Sequence, residues 1–169
     1  SNIWGRTFPG SCVVRSLSRT TPASLADLNG DGVQDMYVYQ KSVGGSDSLK
    51  QWWFRSGATG GPIWSKSFAN PTWLSEISGD VNGDGRVDIL ASPYLEFYTS
   101  PPASSTVKMY SGRNGAAIWS RTLTGAYMGA LGNELVNLPP VGDMNGDGKP
   151  DVVLTSWPTG LSAGKVSFK

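Results

Sequence analysis

The chain has 169 residues, 38% of them hydrophobic and 11% aromatic, with only 16% charged and a formal net charge of +1. That is enough apolar bulk for one packed domain or one compact repeat array and too much for disorder, and no apolar run reaches the ~18 residues of a membrane-spanning helix. Histidine is absent and Cys12 is the sole cysteine, which removes Ser-His-Asp and Cys-His nucleophiles, His-ligated zinc, Cys-rich metal sites and any intramolecular disulfide.

In chain order, the first element is a strand over Ile3–Phe8, where apolar and polar residues alternate with period two. Cys12 follows and reads as a small buried apolar residue. A short apolar piece, Ser24–Ala26, leads into the acidic segment Asp27-Leu-Asn-Gly-Asp-Gly-Val-Gln-Asp35, and β-rich runs follow at Met36–Tyr39 and Leu49–Arg55. The turn text Ser56-Gly57-Ala58-Thr59-Gly60 then precedes a strand over Ile63–Phe68. The series begins again with Leu74–Ile77, Asp80-Val-Asn-Gly-Asp-Gly-Arg-Val-Asp88, Ile89–Ser92 and Val107–Tyr110. It continues through the turn Ser111-Gly112-Arg113-Asn114-Gly115 to a strand over Ile118–Leu123. A third round runs from Leu138–Val141 through Asp143-Met-Asn-Gly-Asp-Gly-Lys-Pro-Asp151 and Val152–Thr155 to Lys165–Phe168. Tyr98–Thr106, rich in Ser, Thr and Pro, reads as a solvated loop between strands. No stretch holds a 3.6-residue apolar period, so essentially no helix is expected.

The acidic segments share the pattern D-x-N-G-D-G-x-x-D, and their starts lie 53 and 63 residues apart. Four short strands per repeat, divided by glycine-rich turns, is the plan of a propeller blade. The expectation is an all-β, propeller-type domain over 1–169. Its blades span about 22–68, 74–123 and 138–169, with the strand 3–8 completing a blade, either its own or that of a neighbouring copy.

The acidic loops carry the chemistry. Calcium takes six to eight oxygen ligands on a flexible loop. Positions 1, 3 and 5 supply Asp27, Asn29 and Asp31, then Asp80, Asn82 and Asp84, then Asp143, Asn145 and Asp147. Position 7 supplies a backbone carbonyl whatever its side chain, which suits Val33, Arg86 and Lys149; position 9 supplies Asp35, Asp88 and Asp151. Glycines at positions 4 and 6 let the backbone curl. An EF-hand would need a Glu at position 12, where Val38, Ala91 and Leu154 stand. The alternative is three Asx-rich turns holding no ion. Nine of the 13 acids lie in these loops, so three calcium ions would take the formal charge from +1 to +7.

The text Val141-Gly142-Asp143-Met-Asn-Gly-Asp-Gly-Lys-Pro-Asp151-Val-Val-Leu resembles the FG-GAP repeat, the blade of integrin-α-like β-propellers. Val107-Lys-Met-Tyr-Ser-Gly-Arg-Asn-Gly-Ala-Ala-Ile-Trp119 is similar to the strands that follow it in such repeats. The resemblance implies calcium in each hairpin loop, an extracellular or cell-surface setting, and adhesion or ligand binding. The Phe-Gly and Gly-Ala-Pro pieces are degraded here, with Ala91-Ser92-Pro93 and Ser156-Trp157-Pro158 standing near the second. Integrin-type propellers have seven blades, and this chain has material for three.

The expected partners are copies of the chain itself, head to tail or in a ring by strand addition of Ile3–Phe8 to an open third blade, or other surface proteins. Trp4, Trp64 and Trp119 are expected to pack between blades. Among Trp52, Trp53, Trp73 and Trp157, one or two exposed rings would suit a glycan-binding propeller instead. Scattered basic residues give no case for nucleic acid. Outside the loops only Asp47, Glu76, Glu96 and Glu134 remain, with no matched acid and base. A structural rather than catalytic protein is therefore expected, with a polysaccharide lyase as the least favoured reading. No charged segment followed by an apolar one opens the sequence, so any export signal is expected to lie outside it.

Overall fold

The computed structural model describes residues 5, 7–8, 11–16, 26–40, 50–76, 79–93, 104–124, 126–128, 142–151, 153–158 and 165–168. The described residues are all-β, with no helix, and form three antiparallel sheets. The first is a meander of β1 (Cys12–Ser16), β2 (Met36–Gln40), β3 (Gln51–Arg55) and β4 (Pro62–Ser67). The second repeats that order with β5 (Thr72–Glu76), β6 (Ile89–Pro93), β7 (Ser104–Tyr110) and β8 (Ala117–Thr124). The third holds β9 (Ala126–Met128), β10 (Val153–Pro158) and β11 (Lys165–Phe168). In every sheet an acidic loop lies between the first strand and the second.

Period-two alternation sets which residues meet. Trp52 and Phe54 on β3 and Tyr39 on β2 turn to one face, joined there by Leu74, Ile89, Ala91 and Tyr110 of the second sheet. Ala26, just before the first acidic loop, and Leu28 and Val87, within the first and the second, close the same cluster. Leu90, Val107 and Met109 face the other way and meet Val81, Ile118 and Trp119. The first two sheets thus share one core, and the second sheet presents a further apolar face beyond it.

Two tryptophans tie the sheets together. Trp52, fully buried, donates its indole N–H to the Thr72 carbonyl at 3.1 Å, and its ring packs on Tyr39 at 4.7 Å. Trp64 stacks on Phe54 at 3.7 Å and donates its N–H to the Gly112 carbonyl at 2.6 Å, reaching from β4 into the turn after β7. A buried indole needs such a partner, because an unpaired N–H away from water is costly.

Three strand expectations are corrected. The strand expected over Ser24–Ala26 does not form at Ala26, which is a buried loop residue, while Ser24 and Leu25 lie outside the described residues; the strand paired with β2 is Cys12–Ser16, so the first sheet begins near residue 12 rather than 22. A β-branched pair, Val13-Val14, makes that segment the better strand former, whereas Ala26 is occupied in closing the acidic loop. The Ser/Thr/Pro stretch yields its end to β7, since Ser104, Ser105 and Thr106 pair with Thr124, Leu123 and Thr122. The strand expected over Ile3–Phe8 does not form at Gly5, Thr7 or Phe8. Phe8 instead packs on Trp53 at 5.8 Å, with the Arg55 guanidinium over its ring at 5.4 Å. Ile3, Trp4, Arg6 and the piece Leu138–Val141 lie outside the described residues.

Trp52→Ala is expected to cost about 3–5 kcal/mol in a urea titration, from a large buried ring and a lost inter-sheet hydrogen bond. Val14→Ala, at a site 55% exposed, is expected to stay within about 0.5 kcal/mol.

Candidate metal centres

Each acidic loop is a ring closed by its backbone. The N–H of Asp35 donates to Ala26 O at 2.9 Å, that of Asp88 to Gly79 O at 3.1 Å and that of Asp151 to Gly142 O at 2.8 Å. Inside the first ring, Asp27 Oδ1 accepts the N–H groups of Gly30 and Asp31, and its Oδ2 accepts that of Gly32. Asp80 and Asp143 do the same for their loops. This wrapping needs left-handed backbone at positions 4 and 6: Gly30 and Gly32 have φ of 82° and 84°, and the glycine pairs of the other loops lie close to these values.

The ninth residue ties the loop's two ends together. Asp35 Oδ2 accepts Leu28 N–H at 2.6 Å and Asn29 N–H at 3.3 Å, and Asp88 and Asp151 repeat both bonds. Its second oxygen reaches outside the loop: Gly57 N–H donates to Asp35 Oδ1 at 2.9 Å, and Gly112 N–H donates to Asp88 Oδ1 at 3.3 Å. The fifth residue reaches the same turns, where Ser56 Oγ donates to Asp31 Oδ2 at 2.9 Å and Ser111 Oγ donates to Asp84 Oδ2 at 2.7 Å. The turn between the third and fourth strands is therefore a part of the site. The repeated Ser-Gly-x-x-Gly text marked it as a turn, but nothing in the sequence placed it against the carboxylates. Glycine is required there because a Cβ on Gly57 would stand 1.8 Å from Gln34 O, and one on Gly112 equally close to Val87 O.

The electrostatics differ by position. Asp31 is exposed, and hydrogen bonds from Asn29, then Val33 N–H and Ser56, hold its carboxyl below the usual range. Asp143, also exposed, is lowered chiefly by Gly148 N–H. Asp35 and Asp88 are buried, and burial outweighs their backbone donors: Asp35 is pushed up, and Asp88 is pushed up to about 6. A buried carboxylate with raised pKa is a group that a nearby cation would stabilise in its charged form.

The donor set fits a hard divalent ion. Oxygens bound at ~2.4 Å lie at most ~4.8 Å apart, and Asp27, Asp31 and Asp35 each offer a carboxylate oxygen within 4.8 Å of the others. Asn29 Oδ1, on the same loop, accepts Asp31 N–H at 2.9 Å. Among the described residues, the second and third loops share the hydrogen-bond pattern without drawing three carboxylates that close. In the third loop, Asn145 Nδ2 donates to Asp151 Oδ1 at 3.2 Å, the place that a turn glycine takes in the other two. At position 7 the N–H of Val33, Arg86 and Lys149 donates to the Asp at position 5.

The remaining candidates fall out as follows. Trp64 lies between sheets as expected, whereas Trp119 lines an open cavity beside the third loop. Trp52 is buried and is no sugar platform, and Trp53 is half-buried beneath Phe8. Cys12 is half-buried, and burial pushes its thiol pKa up. The side chains of Trp4, Trp73 and Trp157 lie outside the described residues.

A family model of the FG-GAP-like repeat matches residues 27–91 and 80–154, together well over half of the chain. No curated protein and no solved structure gives a match.

Two outcomes follow from this geometry. Gly112→Ala is expected to cost more than about 2 kcal/mol by chemical denaturation, through collision with a backbone carbonyl. For the metal-free protein, the folded pKa of Asp88 near 6 lies above its ordinary value of 3.8, so the folded state holds a proton that the unfolded chain releases. That contribution to stability is full below pH ~4 and is lost as pH rises through ~6. Melts in chelator should show Tm falling over this window, with a smaller fall in Asp88→Asn.

Proposed function

Because the chain belongs to the FG-GAP-like repeat family, we propose that it is an extracellular calcium-binding module of propeller type, built from four-stranded blades and serving a structural or adhesive role. The observation that carries this reading is the first loop, where three carboxylates converge within 4.8 Å on a backbone ring reproduced in the other two loops. The residues that would hold the ions are Asp27, Asn29, Asp31, Val33 and Asp35 in the first loop. Asp80, Asn82, Asp84, Arg86 and Asp88 would serve in the second, and Asp143, Asn145, Asp147, Lys149 and Asp151 in the third. A bound cation supplies charge compensation to the buried carboxylate at position 9 and fixes the spacing of positions 1, 3 and 5.

The role follows from what the carboxylates do. They accept backbone N–H bonds and tie loops to turns, which is the work of holding sheets rather than of moving protons. FG-GAP-like repeats are typical of extracellular proteins, and among the described residues no helix is long and apolar enough to cross a membrane. Association with further copies of the chain fits the third sheet, where β11 has no outer neighbour among the described residues while β3 and β7 each have one.

Thermal melts test the reading. Calcium at a hundred times its Kd is expected to add about 2.7 kcal/mol per independent site, and chelation to remove it. Asp31→Asn should lose a large part of the shift from the first loop. Because the buried carboxylates must be ionised to bind, calcium affinity should fall as pH drops through ~6. A melting curve indifferent to calcium across pH 6–8 would contradict the proposal.

A further inference from the structure

Two buried serines stand at equivalent places in the chain. Ser56 opens the turn between β3 and β4, Ser111 opens the turn between β7 and β8, and each is only 3% exposed. Backbone bonds fix both. Ser56 N–H donates to Gly61 O and its carbonyl accepts Gly60 N–H, and Ser111 repeats this with Ala116 and Gly115, all at 2.8–2.9 Å. Both main-chain groups are thus engaged inside the turn, and the hydroxyl is a donor on a rigid mount. It points to the position-5 carboxylate of an acidic loop 25 or 27 residues earlier, at 2.9 Å from Asp31 and 2.7 Å from Asp84.

Position 5 is filled in the same way in both loops. Oδ2 of Asp31 accepts Ser56 Oγ–H and, at 2.8 Å, Asn29 Nδ2–H; Oδ2 of Asp84 accepts Ser111 Oγ–H and, at 3.0 Å, Asn82 Nδ2–H. Oδ1 accepts one backbone N–H, from Val33 in the first loop and Arg86 in the second. A carboxylate oxygen has about two lone-pair sites, so Oδ2 is saturated and Oδ1 keeps one free. Two effects compete here. A hydrogen-bond donor draws charge from the carboxylate, which by itself weakens its hold on a cation. Against this, Asp31 is exposed and Asp84 half-buried, so without an anchor outside the loop each side chain is free to swing into water. Loss of such an outer partner costs a metal site about 10–100-fold in affinity, so orientation outweighs the drawn charge.

We propose that Ser56 and Ser111 are positioning residues for calcium: each hydroxyl ties down Oδ2 of the position-5 aspartate so that Oδ1 is held ready for the ion, and each serves its own loop alone. The serine itself touches no ion. This rests on the calcium reading above and deepens it, by assigning a role in ion affinity to two residues outside the nine-residue pattern. It differs measurably from a role in fastening the turn. A serine that only fastened the turn would stabilise the metal-free and the loaded forms alike, and calcium would then raise the Tm of an alanine variant as far as that of the native chain.

The test is nitrogen-15 NMR of the full chain titrated with calcium, in which the amides of Gly30 and Gly32 report the first loop and those of Gly83 and Gly85 the second. Ser56→Ala is expected to weaken calcium binding at the first loop by about tenfold or more while the second stays within about twofold, and Ser111→Ala to do the reverse. Melts of the same variants in chelator record any loss of stability that does not involve the ion. Affinities within about twofold of native at both loops, or equal weakening of both loops by one substitution, would overturn the proposal. Should one variant fail to fold, the other decides. Native loops that never respond to calcium would remove the calcium reading and this assignment together, whereas native loops that bind calcium and serine variants that bind it as tightly would remove this assignment alone.

Discussion

The carboxylate at the ninth position of each acidic loop is the point on which the rest depends. Asp35 and Asp88 are buried, and each accepts two N–H groups from the start of its own loop and one from a glycine in the turn beyond. One oxygen closes the loop, and the other fastens it to the hairpin of the third and fourth strands. The cost of burying this charge shows in its raised pKa, and the hydrogen bonds offset only part of it. A divalent cation held by the neighbouring carboxylates, as proposed above, would remove the remainder, which would make the loop chemistry and the stability of the sheets one question.

The same turn glycine carries the link between sheets. Gly112 gives its N–H to Asp88 and its carbonyl to the Trp64 indole, so a single residue joins the second acidic loop to the fourth strand of the preceding sheet. Lys66 reinforces the contact by lying over the Tyr110 ring at 4.3 Å. The second acidic loop is thereby joined to the preceding sheet through named contacts, and an acidic bend becomes a structural joint.

Much of this was legible in the sequence because the signals were local. The nine-residue pattern stood out by repetition, its glycines by their need for left-handed backbone, and the strands β2, β3, β4, β6, β8, β10 and β11 by their branched and aromatic residues. What was not legible depended on tertiary position. The apolar piece Ser24–Ala26 looked like a strand, yet Ala26 is held by the loop's closing bond, and Cys12–Ser16 pairs with β2 from ten residues further back. Ser56 and Ser111 read as ordinary turn residues, since no local pattern says that a turn 25 or more residues away will point a hydroxyl at a loop carboxylate. Trp64 and Trp119 read alike, but one is docked on the Gly112 carbonyl and the other lines an open cavity.

The most direct measurement is native mass spectrometry of the full chain, titrated with calcium at pH 7.5 and repeated with all three position-9 aspartates changed to asparagine. The account predicts stepwise loading to three ions per chain, in preference to magnesium at equal concentration, and loss of loading in the triple variant. A chain that stays metal-free in millimolar calcium, or a triple variant that loads three ions as before, would contradict it.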